Sequence, residues 1–309
     1  MLAWIVRLQL LVEVILYAAV GHWLVAARGW SWLGVAVAAA SFALLIRLAI
    51  VCLTTTIGWF TRTPRDHDDE LDLAGTVRYV LGEWLAMLAD NFLYLPFEGF
   101  ALRPDPHPPG EGVPVLLVHG YFSNRGIHRA IVHALEAEGA SPILTFNFHK
   151  PFAPIEALAE QLEEEVRKAL ESTGAPRLVL VCHSMGGLIA RAWMARHGCE
   201  RVGKLITIAS PHHGTALAHF GIGANARQMR RASTFLESLR HREGEGGPGV
   251  VATSIYSVHD NLVTPQETSR LPWAKNIAVT GLGHVDILLS ARVHRVLLEE
   301  LREAGVSAR

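Results

Sequence analysis

Three residues of this 309-residue chain have types and an order that suit nucleophilic catalysis: Ser184, Asp260 and His284. Ser184 lies in LVLVCHSMGG, residues 178–187. An apolar run meets Cys182-His183-Ser184-Met185-Gly186-Gly187, and a helix-competent segment comes next. That pattern reads as a strand turning sharply into a helix, with the serine at the turn. A hydroxyl attacks well only when a base takes its proton, and the base must be held in one tautomer by a third group. Asp260 comes after the strand-like run 250–256. His284 comes after the run 277–280, in Gly281-Leu282-Gly283-His284. Both fall on strand-end loops, where an open α/β sheet places its chemistry.

Plainer roles exist for each: a helix cap for Ser184, a turn for Asp260, a solvated loop for His284. Asp286 and Glu267 are alternative acids, but Asp286 is only two residues beyond the histidine, a poor position from which to orient it. Cys182 precedes the exposed turn and is expected to point into packing. His212 and His213 are adjacent and lack a third spaced ligand, so no metal is expected there. The acidic cluster Asp66, Asp68, Asp69 and Glu70 lacks the spacing of a calcium loop. No cofactor is expected.

The elements that must position these residues alternate. Runs at 113–119, 141–148, 177–182, 204–209, 250–256 and 277–280 read as strands. Segments 125–138, 155–171, 188–197 and 287–303 read as helices. This alternation predicts an α/β sandwich with a mostly parallel sheet over 113–309. Residues 216–248 are too many for a simple strand connection and read as a short cap over the site.

The chain is 50% hydrophobic and 18% charged, with the apolar excess concentrated before residue 61, which leans toward membrane association. Lys and Arg number 28 against 29 Asp and Glu, a balance that does not favour nucleic acid. Three cysteines are too few for a disulfide framework and fit a reducing compartment. Residues 2–27 and 30–60 each exceed the roughly 20 residues a helix needs to cross a bilayer. Arg7, Glu13, His22 and Arg47 interrupt them, and Arg47 could pair with Glu13 across a hairpin. Trp4, Trp30, Trp32 and Trp59 sit near the ends, where interfacial indoles belong. A signal peptide with an interfacial helix after it, or two buried helices, are the other readings. Arg62 and Arg65 after the second stretch favour a cytoplasmic position for the C-terminal part of the chain, with Arg28 in the loop against it. The expected location is a bacterial inner membrane. Residues 61–112 read as a juxtamembrane region: an amphipathic helix over 71–95, lying on the membrane or packed on the next domain, then a Pro/Gly-rich linker.

The motifs HGY at 119–121, HSMGG at 183–187, SPHHGT at 210–215, the SxxDxxVxP pattern from Ser257 to Pro265, and GLGH at 281–284 together resemble the α/β-hydrolase superfamily, specifically the bacterial triacylglycerol lipase-like and esterase group. The resemblance spans about 113–301. Its elbow begins with Cys182 rather than glycine, a small residue that still lets strand and helix approach. The resemblance implies a three-layer sandwich, ester hydrolysis through an acyl-enzyme, and a Ser184–His284–Asp260 triad. It implies oxyanion donors at the N–H groups of Tyr121 and Met185, with His119, Gly120, His183, Gly186 and His212 in supporting positions. The expected partners are a lipid or other acyl-ester substrate and the bilayer. A thioesterase, a lipid deacylase or an acyltransferase would use the same machinery, and an inactive membrane scaffold is the reading of a different class.

Overall fold

The computed structural model describes residues 1–64, 69–105 and 112–306. Asp66 and Asp68 of the acidic cluster, Arg65, and most of the Pro/Gly-rich linker lie outside the described residues. The helices are α1 (Leu2–Arg28), α2 (Trp32–Thr61), α3 (Leu73–Ala89), α4 (Glu98–Ala101), α5 (Arg129–Ala137), α6 (Ile155–Thr173), α7 (Met185–His197), α8 (Ala224–Gln228), α9 (Thr234–Glu243) and α10 (Ala291–Glu303). The strands are β1 (Val115–Val118), β2 (Ile143–Thr145), β3 (Leu178–His183), β4 (Val202–Ile208), β5 (Ala252–Ser257) and β6 (Lys275–Val279).

The strands form one parallel sheet in the order β2-β1-β3-β4-β5-β6. Because side chains alternate across a sheet, its residues divide cleanly between two cores. Leu116, Val118, Leu178, Leu180, Cys182 and Leu205 pack with α6 and α7 on one face. Val115, Leu117, Val179, Val181, Ile206 and Ile255 pack with α5 and α10 on the other. Helices on both faces explain why the strands read as unbroken apolar runs. Strand β2 is shorter than the run 141–148 because the chain leaves the ladder after Thr145, and Phe146 and Phe148 then pack around the His119 ring. The last helix starts at Ala291 rather than 287, since Asp286–Leu288 form a separate 3₁₀ turn. The segment after β4 folds as a 3₁₀ turn (Ala216–His219), α8 and α9.

Helices α1 and α2 form a hairpin. They are 27 and 30 residues long and apolar enough to cross a membrane. Arg47 donates to Glu13 at 2.9 Å, so each helix supplies the counter-charge of the other. Most of their apolar side chains face outward, including Leu8, Leu11, Ile15, Leu45 and Phe60. Apolar surface on this scale is consistent with a membrane-anchoring segment.

Helix α3 begins at its N-cap Asp72, whose Oδ1 accepts from the Gly75 N–H at 2.6 Å. The face it turns to the protein is not its apolar row. The buried face carries Gly75, Tyr79, Glu83 and Ala86, while Leu73, Val77, Leu81 and Leu85 stay exposed. Inward contacts explain the inversion. Tyr79 Oη lies 3.2 Å from Thr55 Oγ1, Trp84 Nε1 donates to the Leu44 carbonyl, and Glu83 binds the loop after β6. A π-helical turn, Asp90–Tyr94, continues α3.

Candidate active site

Three strand ends supply the centre of the site. Strand β3 delivers Ser184 with φ 55° and ψ −127°, a region that non-glycine residues rarely adopt. Such a turn costs of order 1–3 kcal/mol and projects the hydroxyl from the end of the sheet. Two glycines make room for it. A Cβ on Gly120 would come within 2.7 Å of Ser184 Cβ, and one on Gly186 within 2.5 Å of the Val118 carbonyl oxygen. The loop after β5 carries Asp260, and the loop after β6 carries His284.

These side chains meet. His284 Nε2 lies 3.0 Å from Ser184 Oγ, and His284 Nδ1 lies 2.8 Å from Asp260 Oδ2. The other carboxylate oxygen of Asp260 accepts from the N–H groups of Leu262 and Val263, both at 2.8 Å. Its orientation is therefore fixed before His284 is considered. Burial pulls the His284 pKa down, but the adjacent Asp260 carboxylate and the bond to it outweigh that pull and raise it above 6.5. The arrangement can move the Ser184 proton to the imidazole and stabilise the imidazolium that results. Asp286 and Glu267 make no hydrogen bond to His284 among the described residues. Burial alone pushes the Cys182 thiol pKa far up, which suits packing rather than attack.

The supporting residues divide. His119 Nδ1 contacts the Gly120 carbonyl at 3.1 Å, and its Nε2 accepts from the Phe148 N–H. Burial lowers its pKa to about 4, so it stays neutral and holds the loop that carries Gly120 and Tyr121. His183 Nε2 donates to the His284 carbonyl at 3.2 Å, and burial keeps this ring neutral too. Met185 is the first residue of α7, where N–H groups have no intrahelical acceptor. The Tyr121 hydroxyl both donates to and accepts from the Ile222 backbone, joining the loop after β1 to the segment before α8. His212 lies apart from the cavity. Its Nε2 meets Thr207 Oγ1 at 3.0 Å, and its carbonyl accepts from Arg191, which pairs with buried Glu243.

Ser184 and His284 open into a cavity of about 700 Å³ with largely apolar walls. Part of that wall is Leu53, Thr54 and Ile57 of α2, and part is Met87, Asp90, Asn91 and Leu95 of the segment beginning with α3. The sequence reading did not assign this region to the site. It also missed Asn261, whose Oδ1 accepts from the His284 N–H at 3.0 Å while its Nδ2 donates to Thr54 Oγ1. It missed Glu83 as well. That carboxylate is fully buried and accepts from the N–H groups of Val285 at 3.0 Å and Asp286 at 2.9 Å. Burial raises its pKa to about 7, against the opposing pull of those hydrogen bonds and of His284. The available signal was the spacing of Gly75, Tyr79, Glu83, Ala86 and Asp90, one helical face of small and polar residues.

A three-layer sheet with a serine on a strained strand-to-helix turn, a histidine bonded to it and an acid behind the histidine defines the α/β-hydrolase superfamily, in the branch related to bacterial lipases and esterases. The family described as "Domain of unknown function (DUF7379)" matches residues 94–261, more than half of the chain, and the protein belongs to it. A pimeloyl-[acyl-carrier protein] methyl ester esterase of Vibrio atlanticus is 34% identical over 104 residues, covering 34% of this chain and 39% of its own length. A triacylglycerol lipase of Pseudomonas fragi is 33% identical over 117 residues, covering 34% of this chain and 36% of its own length. The chain thus spans well under half the length of these relatives. Lipase B of Aspergillus fumigatus superimposes with a TM-score of 0.57 at 18% identity, over 63% of this chain and 53% of that one, which shows the shared fold.

Proposed function

We propose that the protein is a membrane-anchored serine hydrolase that cleaves carboxylic esters of lipids. The observation that carries this reading is the hydrogen-bonded row Ser184–His284–Asp260 facing a cavity of about 700 Å³ walled partly by the apolar helix α2. Ser184 attacks the ester carbonyl while His284 takes its proton. The N–H groups of Tyr121 and Met185 stabilise the tetrahedral oxyanion. His284 then gives its proton to the leaving alcohol, and water activated by the same imidazole releases the acid. Asp260 keeps His284 in the tautomer that presents Nε2 to Ser184.

Three features support a lipid substrate: the apolar cavity walls, the contribution of α2 to them, and the exposed apolar row on α3. The hairpin α1–α2 sits in a bacterial inner membrane, and Arg62 after α2 favours the cytoplasmic side for the catalytic part. Alkaline carbonate washing should leave the protein in the membrane pellet, whereas release into the supernatant would remove the anchor from the reading. The central test is turnover of matched oxygen esters and thioesters across acyl lengths, with a fluorophosphonate probe reporting the nucleophile. Long-chain esters should be cleaved best, and the probe should block that turnover. A preference for short soluble esters would detach the activity from lipids.

The pH profile is set by His284. Below its pKa the imidazole is charged and cannot accept the Ser184 proton, so kcat/KM rises with pH through that value. Because Asp260 raises this pKa, the acid limb should lie above the 6.5 of an ordinary histidine. A limb at or below 6.5 would contradict the electrostatic role given to Asp260.

A further inference from the structure

We propose that Asp90 forms a subsite in the catalytic cavity that binds a hydroxyl group carried by the ester substrate. This rests on the hydrolase reading above. Asp90 is the first residue of the π-helical turn that continues α3, and it lines the same cavity as Ser184 and His284. It is only 7% exposed, and its Oδ1 is shut from solvent with no hydrogen-bond partner. Neither carboxylate oxygen makes a hydrogen bond or ion pair among the described residues. A buried acid without a partner is expensive, and each such group in a native fold calls for an explanation, a functional role among them.

Among the other polar side chains that line the cavity, the Asn91 amide and His183 Nδ1 make no hydrogen bond among the described residues, and three hydroxyls are committed. Tyr121 Oη is bonded to Ile222, Thr54 Oγ1 accepts from Asn261, and Thr215 Oγ1 donates to the Leu262 carbonyl. Arg47 stacks on Phe92 of the same π turn, and its Nη2 donates to Glu13 rather than to Asp90. Glu83, seven residues earlier on the same face, is bound to the loop after β6. Asp90 therefore remains as the acid available to a ligand.

The form of the acid selects the ligand group. Burial first, and then the charge of Glu83, raise the Asp90 pKa to about 7, so both protonation states are accessible near neutrality. A hydroxyl can donate to the carboxylate and accept from the carboxylic acid, whereas an ammonium can only donate. His183 and His284 face the cavity from the sheet side, and the His183 ring stays neutral. The hydroxyl belongs either to the alcohol part of the ester or to its acyl chain.

Two matched pairs distinguish these sources in detergent-solubilised protein. One compares a 1-monoacylglycerol with the methyl ester of the same acid. The other compares the methyl ester of a hydroxylated fatty acid with its unsubstituted counterpart. Wild-type protein should favour the hydroxylated member of one pair by about tenfold to a hundredfold in kcat/KM, mostly through KM. Asp90→Leu should collapse that ratio toward one, and Asp90→Asn, which keeps an acceptor, should retain part of it. Equal turnover within both pairs by the wild type overturns the proposal. So does an Asp90→Leu variant that loses both members of the favoured pair in equal proportion. Thermal unfolding separates a binding role from a structural one. Removing an unpartnered buried carboxylate should raise the melting temperature at pH 8, where the acid is charged, and a fall there would overturn the proposal. If the wild type cleaves no ester and takes no fluorophosphonate, the hydrolase reading itself has failed. Cleavage without hydroxyl preference removes the subsite alone.

Discussion

Ser184→Ala should abolish fluorophosphonate labelling and lower ester turnover by about 10⁶-fold, the scale on which loss of a nucleophile is felt when the rest of its machinery remains. The fold should survive, because the side chain is small and its one tertiary hydrogen bond is to His284. Thermal unfolding provides the control. The backbone at this position has φ 55°, so Ala inherits the strain of Ser, whereas Ser184→Gly relieves it. The glycine variant should therefore be inactive yet more stable than wild type, by about 1–3 kcal/mol. Undiminished turnover in Ser184→Ala would move the nucleophile elsewhere and dismantle the proposed mechanism. A glycine variant less stable than wild type would mean that the turn stores no strain.

The second large effect is expected far from Ser184 in sequence. Glu83→Ala should lower kcat by about 100-fold, the loss typical when a reacting group is misplaced by about an ångström. Two part-buried N–H groups, those of Val285 and Asp286, would lose their acceptor, at up to about 1–3 kcal/mol each where water cannot replace it. The loop that carries His284 would then relax. Glu83→Gln retains a carbonyl acceptor and the packing but removes the charge. It should recover much of the rate. Because Glu83 also raises the His284 pKa, the acid limb of the Gln variant should move to lower pH. That displacement distinguishes a residue positioned to act on the histidine from one that only fills space. An unchanged rate in Glu83→Ala would show that the loop holds its shape without α3.

The sheet and the Ser184, Asp260 and His284 positions were legible because their signals are local. A buried parallel strand reads as an apolar run, and each of the three residues sits at the end of one. Element ends were less legible where tertiary packing decides them. β2 stops at Thr145 because Phe146 and Phe148 turn to pack around His119, contacts that join residues about 30 apart in sequence. The seating of helix α3 stayed open between two placements for a different reason. An apolar stripe is ordinarily taken to mark the face turned toward the protein, an inference that assumes water on the other side. Here Leu73, Val77, Leu81 and Leu85 point outward and Glu83 points inward. Glu83 and Asn261 were invisible as site residues because each is bound to a residue more than 200 positions away.

The inverted helix also changes what a soluble version of this protein would be. Asn261 ties the His284 loop to Thr54 in the C-terminal half of α2, and Glu83 ties it to α3. In the proposed setting, both helices have lipid on their outer sides. The histidine loop is then braced from outside the sheet by two rods whose seating depends on the surrounding bilayer. In that setting, a change in bilayer thickness or lateral pressure that shifts either rod would be felt by the loop that carries His284. Trimming the chain to its sheet and covering helices would remove a wall of the cavity and the brace together.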